Sequence, residues 1–218
     1  MNTVLVACKT LEDELALAME KTGVEYPIVW IESGLHNTPK KLNARLSETL
    51  QAVDADRVIL VMGFCGNALE GICADNFELI VPRVDDCITL LLGSAEARAM
   101  AAKEYAAYFL TEGWLRGERS VWAEYLYAVE KYGEEEAQSI AQTMLGHYRT
   151  LGLLDSGATS IEKFVDETRV IAETLNLEQK IVPATISYIE ELLTGPWPYV
   201  RFIVKAPGEA ITVSELYT

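Results

Sequence analysis

Positive charge is scarce in this sequence. Its 218 residues carry 18 lysines and arginines against 33 aspartates and glutamates, a formal net charge of −15. A chain so acidic lacks the positive field that non-specific binding to DNA, RNA or an anionic membrane requires. Long hydrophobic runs are missing too, and none approaches the roughly 20 residues that span a bilayer. Met1-Asn2-Thr3-Val4-Leu5-Val6 enters a strand with no basic segment ahead of it, which argues against a signal peptide. The expectation is a cytoplasmic protein with no nucleic acid and no membrane as partner, its acidity serving solubility. Histidine is limited to two residues and cysteine to four, with no CxxC pair among them. The sequence has no P-loop, no dinucleotide fingerprint, no Gly-x-Ser-x-Gly elbow and no HExxH, so the usual local signatures of nucleotide binding and of hydrolysis are absent. It contains no repeat of solenoid type.

What is present is a core. Half of the residues are hydrophobic, enough for one large domain. Short apolar, β-branched runs predict strands at Thr3 to Ala7, Tyr26 to Ile31, Arg57 to Met62, Phe77 to Val81, Tyr108 to Thr111, Arg149 to Leu154 and Lys180 to Pro183. Between them, helical spacing covers Leu11 to Lys21, stopped by Gly23, and Pro39 to Val53, capped by Thr38. A helix capped by Asp85 or Asp86 reaches Leu92 and closes at Gly93; others cover Ala95 to Ala107, Ile161 to Leu175 and Thr185 to Leu193. A long helical tract from about Glu118 to Leu145 is interrupted at Gly133. Tyr199 to Val204 and Ala210 to Val213 flank Pro207-Gly208 and read as a C-terminal strand or hairpin. Alternating strands and helices argue for an α/β fold: a mostly parallel sheet flanked by helices, three-layered and Rossmann-like. The chain reads as a single domain over 1–218. Its motifs lie in 1–115, and 116–218 holds the helical tract and the remaining strands.

In such sheets the ligand site lies beyond the carboxyl ends of the strands. Three thiols sit there. Cys8 follows the first strand, Cys65 lies in Gly63-Phe64-Cys65-Gly66-Asn67 after the third, and Cys87 ends Arg83-Val84-Asp85-Asp86-Cys87 after the fourth. A single buried cysteine is usually a small hydrophobe; three at strand exits form a pattern. Cys73, in a loop, is a bystander. Thiolates bind soft or borderline metals, and zinc also accepts imidazole nitrogen. His36, in the exit loop Gly34-Leu35-His36-Asn37, is therefore a candidate ligand or proton carrier. His147 reads as a helix-end residue. Asp85 and Asp86 are candidate cap, carboxylate ligand or orienting groups, and Lys9 offers charge to an anionic substrate. Gly63, Gly66 and Asn67 allow close backbone approach to a bound group, and Trp114 is a candidate wall of the same cleft.

An ordered series of motifs, Ala7-Cys8, Gly34-Leu35-His36-Asn37 with Pro39, Gly63-Phe64-Cys65-Gly66-Asn67, Pro82-Arg83 with Asp86-Cys87-Ile88-Thr89 and Gly113-Trp114, resembles the domain of unknown function 1638 family of anaerobic bacteria and methanogenic archaea. The series covers roughly the first half of the chain. Asp85-Asp86-Cys87 stands where the family usually has His-Asp-Cys, and Ala107-Tyr108-Phe109-Leu110 where it usually has a Gly-Thr-Tyr-type run. The resemblance implies a small-molecule ligand and a link to corrinoid-dependent methyl metabolism, with a corrinoid protein or methyltransferase as partner. On residues and resemblance together, the expectation is a metalloprotein with zinc held by Cys8, Cys65, Cys87 and His36. The alternatives are an iron–sulfur cluster on the three thiols, or a non-catalytic accessory partner of a corrinoid protein or methyltransferase.

Overall fold

A computed structural model describes residues 1–117 and 119–216; the expected start of the helical tract at Glu118 falls outside them. β1 (Thr3–Cys8) leads through a 3₁₀ turn (Lys9–Leu11) into α1 (Glu12–Thr22), which Gly23 closes in the left-handed region at φ 67°. β2 (Ile28–Ile31), a 3₁₀ turn (Leu35–Asn37) and α2 (Pro39–Ala52) follow, then β3 (Arg57–Val61) and β4 (Glu78–Pro82). α3 (Cys87–Leu92) and α4 (Ala95–Tyr105) are each capped by the preceding side chain: Asp86 accepts from the Thr89 amide and Ser94 from the Ala97 amide. The second half runs β5 (Ala107–Leu110), α5 (Glu112–Leu115), α6 (Val121–Tyr132), α7 (Glu134–Leu145), β6 (Thr150–Asp155), α8 (Ile161–Leu175), β7 (Glu178–Pro183) and α9 (Ser187–Thr194). It ends with β8 (Phe202–Lys205) and α10 (Val213–Leu216).

The fold is the mixed α/β arrangement of parallel strands and flanking helices that the alternation predicts, but the strands form two sheets. One has the order β2-β1-β3-β4-β8, parallel except for β8; the other is β5-β6-β7, all parallel. Of the expected C-terminal strand or hairpin, the strand forms, as β8 (Phe202–Lys205). β8 pairs antiparallel with β4, and of the segment Ala210 to Val213 only Ala210 makes a bridge, to Cys73, before α10 begins. Arg83 explains why the chain returns to this edge. Its amide donates to Arg201 O, its Nε to Tyr199 O at 2.7 Å, and its Nη1 to Glu215 O, while its guanidinium stacks 4.2 Å from the Tyr199 ring. One half-buried arginine thus fixes β8 and α10 to β4.

Right-handed crossovers put α1 and α2 on opposite faces of the first sheet. α9, although it follows β7, packs beside α1 and against β3 and β4. The second sheet shows the two-residue period of a strand buried on both faces. Leu151 and Leu153 turn toward α7 and α8, whereas Leu154, with Phe109 and Val182, joins the core that contains Val6, Leu60 and Ile80. Hydrophobic contact is therefore continuous between the sheets. α8 shows the helical counterpart: Phe164, Thr168, Ile171, Ala172 and Leu175 form its buried stripe, and Asn176 ends it at φ 54°. Among the described residues no helix is long and apolar enough to cross a membrane.

The carboxyl ends of the two sheets meet, and the meeting is tight. A Cβ on Gly113, after β5, would collide with the carbonyl of Thr10, after β1; one on Gly34 would collide with the Arg119 stem. Arg116 pairs with Asp13, and Ser156, after β6, donates to Glu14 Oε1 at 3.1 Å. Glu14 is 4% exposed and its Oε2 has no partner among the described residues. Burial raises its pKa above 4.5, so the folded state favours the protonated acid. As pH rises above that ordinary value, the folded chain holds a proton that the unfolded chain has lost, and stability falls through the window up to the raised folded value. Glu14→Gln removes this dependence. Urea unfolding of the variant is expected to show a gain over wild type at pH 8 that is absent near pH 4.

Candidate functional site

Between these facing edges lies a cavity of about 150 Å³ lined by Cys8, Thr10, Glu32, His36, Cys65, Asp86, Cys87 and Trp114, together with Ile31, Leu42 and Met62. The exits of β1, β2, β3 and β4 each contribute, and Trp114 comes from α5 at the exit of β5. Three of the four cysteines, one of the two histidines and the capping aspartate thus share one small space.

Local structure explains each placement. Gly63 has to be glycine because a Cβ there would run into the Asp86 backbone; the Phe64 and Cys65 amides donate to Val84 O and Asp85 O at 2.9 and 2.7 Å. The β3 exit is in this way laced to the β4 exit, which sets Cys65 beside Cys87. Cys65 itself lies at φ 47°, a left-handed conformation that a non-glycine residue adopts at a cost. Asp86 accepts from both the amide and the hydroxyl of Thr89, at 2.7 and 2.8 Å, and so starts α3 at Cys87. Arg98 on α4 reaches Asp86 Oδ2 at 3.9 Å. The His36 ring meets the Trp114 indole edge-on, 5.2 Å between centroids.

The electrostatics separate the three thiols. Cys8 is lowered from 9.0 to about 6, mainly because the Cys87 thiol donates to it, with help from the hydroxyl and amide of Thr10. The hydroxyl lies 3.1 Å from the sulfur. A thiolate is thus held at the entry of the turn that begins α1, where free amides and the helix dipole favour negative charge. Cys87, buried and next to that thiolate, is pushed well up. Cys65 is pushed up to about 12 by burial and by the charges on Cys8 and Asp86. His36 is lowered by burial; Asp86 opposes the shift and Arg119 adds to it, so the imidazole is neutral near pH 7.

Not every candidate residue reaches the cavity. Asp85 is exposed and contributes only its carbonyl, to Cys65. Lys9 is exposed, pairs with Glu12 and lies over the Trp30 ring at 4.8 Å. Gly66 and Asn67 are exposed on the far side of the β3 turn, where Gly66, at φ 71°, completes the left-handed pair with Cys65. Cys73 lies away from the cavity, against Ala210. His147 follows α7 and packs on Tyr148, 4.0 Å between ring centroids. Thr10 and Glu32, which line the cavity, escaped the sequence reading. Thr10 stands two residues beyond Cys8 at a strand exit, and that position was its only signal.

The donor set has the composition of a soft-metal site, although among the described residues no three His, Cys, Asp or Glu side chains form a preformed cage. As they stand, Cys8 and Cys87 form a hydrogen-bonded thiolate–thiol pair with Cys65 beside it. Two of the three thiols resist ionisation, Cys65 chiefly because it is buried and Cys87 because it donates to Cys8 and is buried, with the charge on Cys8 adding to both. That is the condition a bound cation relieves, and binding would release their protons.

Fold and cavity together define a mixed α/β protein with a three-cysteine centre at the carboxyl edge of its parallel strands. The family follows from comparison: the model of the protein of unknown function DUF1638 family matches residues 30–193, and the chain belongs to that family. The match takes in His36, Cys65, Asp86, Cys87 and Trp114 and extends through the second sheet; Cys8 precedes it. No curated protein and no solved structure shows significant similarity.

Two outcomes follow from this geometry. In metal-free protein, alkylation of Cys8 by iodoacetamide is expected to rise with a midpoint near pH 6, and Cys87→Ala, which removes the main donor, to shift the midpoint toward 9.0; peptide mapping against pH reads both. Asp86→Ala is expected to cost about 1–2 kcal/mol of stability through loss of the α3 cap, measured by urea unfolding.

Proposed function

We propose that this chain is a metal-binding protein in which Cys8, Cys65 and Cys87 hold a soft or borderline cation, zinc for preference, with His36 as a fourth ligand or as a base beside it. The observation that carries this reading is the convergence of thiols from three separate strand exits on one cavity. Buried cysteines that served only as packing would have no reason to collect there. Zinc bound by thiolates with one position open supplies affinity for a substrate thiol and lowers its pKa.

The chain's own residues supply the rest. Cys8 enters binding already as a thiolate, kept so chiefly by Cys87, with Thr10 adding its hydroxyl and amide. His36, neutral because it is buried, can accept a proton from a thiol or hydroxyl delivered to the cavity. Asp86 faces it and stabilises the imidazolium that results. Trp114 covers the imidazole and keeps water from that side. A thiolate formed there is a suitable acceptor for a methyl group, which fits the corrinoid protein or methyltransferase partner that the family resemblance implies. The second reading, an iron–sulfur cluster, is favoured by one feature: with Cys73 elsewhere, only three thiols are available, which would leave one iron open to a small molecule.

Elemental analysis of anaerobically purified protein decides between these readings. One zinc per chain is expected, falling to a small fraction in Cys65→Ser and Cys87→Ser and unchanged in Cys73→Ser. Undiminished metal in Cys8→Ser, Cys65→Ser and Cys87→Ser alike removes the proposal. A brown, air-sensitive protein containing iron and sulfide selects the cluster. A metal-free, folded protein that still binds a corrinoid protein selects the accessory role.

A further inference from the structure

A second cavity, of about 590 Å³, opens between α6, α7 and β5, and nothing so far gives it a role. Its size falls in the range of small-molecule sites, about 300–1,000 Å³. Its floor is small and buried, formed by Ala128, Ala137 and Ala141, so the two helices leave a hollow where larger side chains would have met. Its walls are tyrosines. The Tyr125 hydroxyl is engaged with Gln138 at 3.4 Å, and Tyr127 and Tyr132 have the Lys131 ammonium over their rings at 5.4 and 5.0 Å. Tyr108 and Tyr148 differ. Their rings meet edge-on at 5.6 Å, and neither hydroxyl makes a hydrogen bond with any described residue. Tyr108 is half-buried in the wall, which raises its pKa, and its hydroxyl is left available to donate to a bound group.

The cavity is also a neighbour of the thiol site. His36 lines one and Asn37 the other, within a single 3₁₀ turn. Arg119 packs its stem on Gly34 beside that turn and pairs with Glu124 at 2.6 Å; both of these charged residues line the second cavity.

We propose that this cavity binds a flat, ring-bearing small molecule carrying a carbonyl or carboxylate that accepts hydrogen bonds from Tyr108 and Tyr148, its rings lying against the tyrosine faces. Because adjacent residues of one turn, His36 and Asn37, line the two cavities, the molecule is assigned as the body of the substrate whose reactive end the thiol centre takes. This last assignment rests on the metal–thiolate reading, whereas binding itself does not.

The probe is 1-anilinonaphthalene-8-sulfonate, a flat apolar anion whose fluorescence rises in such a site. Titration is expected to give saturable binding at one dye per chain. Tyr108→Phe and Tyr148→Phe, which keep the rings, are expected to weaken it about threefold to tenfold each, and Ala141→Phe, which fills the hollow, to abolish it. Cys65→Ser is expected to lose metal and keep dye binding, and the tyrosine variants to do the reverse, so the two readings fail separately. The absence of saturable binding, or equal affinity in Tyr108→Phe, Tyr148→Phe and Ala141→Phe, overturns the proposal. So does loss of dye binding in a folded Cys65→Ser protein, which would place the dye in the thiol cavity.

Discussion

The closest constraint in this molecule is backbone against backbone. Gly113, at the exit of β5, lies so near the Thr10 carbonyl, at the exit of β1, that no side chain fits between them. That approach brings the carboxyl end of the second sheet onto that of the first. It sets Trp114 against His36, orders the turn that gives Cys8 its donors, and closes the cavity on the side that the first sheet leaves open. Gly34 and Gly63 serve the same end, one admitting the Arg119 stem and the other the Asp86 backbone. Glycines at strand exits here are a matter of proximity, and loop flexibility does not account for them.

Within the cavity the governing effects are poor solvation and the hydrogen bonding of one sulfur to another, with repulsion between sulfurs added to them. One thiolate is well provided for, since Cys87 and both donors of Thr10 point at Cys8. Each further ionisation works against a charge already present in a poorly solvated space. The site is therefore singly charged when left to itself, and it accommodates a higher charge when a cation is present to balance it. Cys65 is held there in a left-handed backbone conformation, a local cost offset by the two hydrogen bonds that lace its turn to Val84 and Asp85.

Much of this was legible in the residues. The strand runs, a cap at Asp85 or Asp86, the Gly93 and Gly133 stops and the Ile161–Leu175 helix follow from patterns that act within a few residues. So does the arrival of Cys8, Cys65, Cys87 and His36 at strand exits, because parallel strands bring their carboxyl ends together. What was not legible depends on distance. The split into two sheets turns on Phe109 and Leu154 facing the first core while Leu151 and Leu153 face α8, and a fully buried strand carries no alternation that would reveal this. The fate of Ala210 to Val213 was decided by the β4 edge and Arg83, far away in sequence. Asp85 and Asp86 are indistinguishable as neighbours, and only the start of α3 turns one inward and the other to solvent.

The path of the chain has a mechanical consequence. It leaves the first sheet after α4 to build the second, and it returns through α9 to finish the first with β8. Two covalent spans therefore join the two layers: the one between α4 and β5 enters the second sheet at its amino edge, and the one between β7 and α9 leaves it at the carboxyl edge, where the Ala184 amide donates to Asp155 O. Links at opposite edges give the layers no single hinge line, and the core they share resists sliding. The Gly113–Thr10 and Ser156–Glu14 contacts are therefore held from both edges, and Trp114 keeps one place against His36.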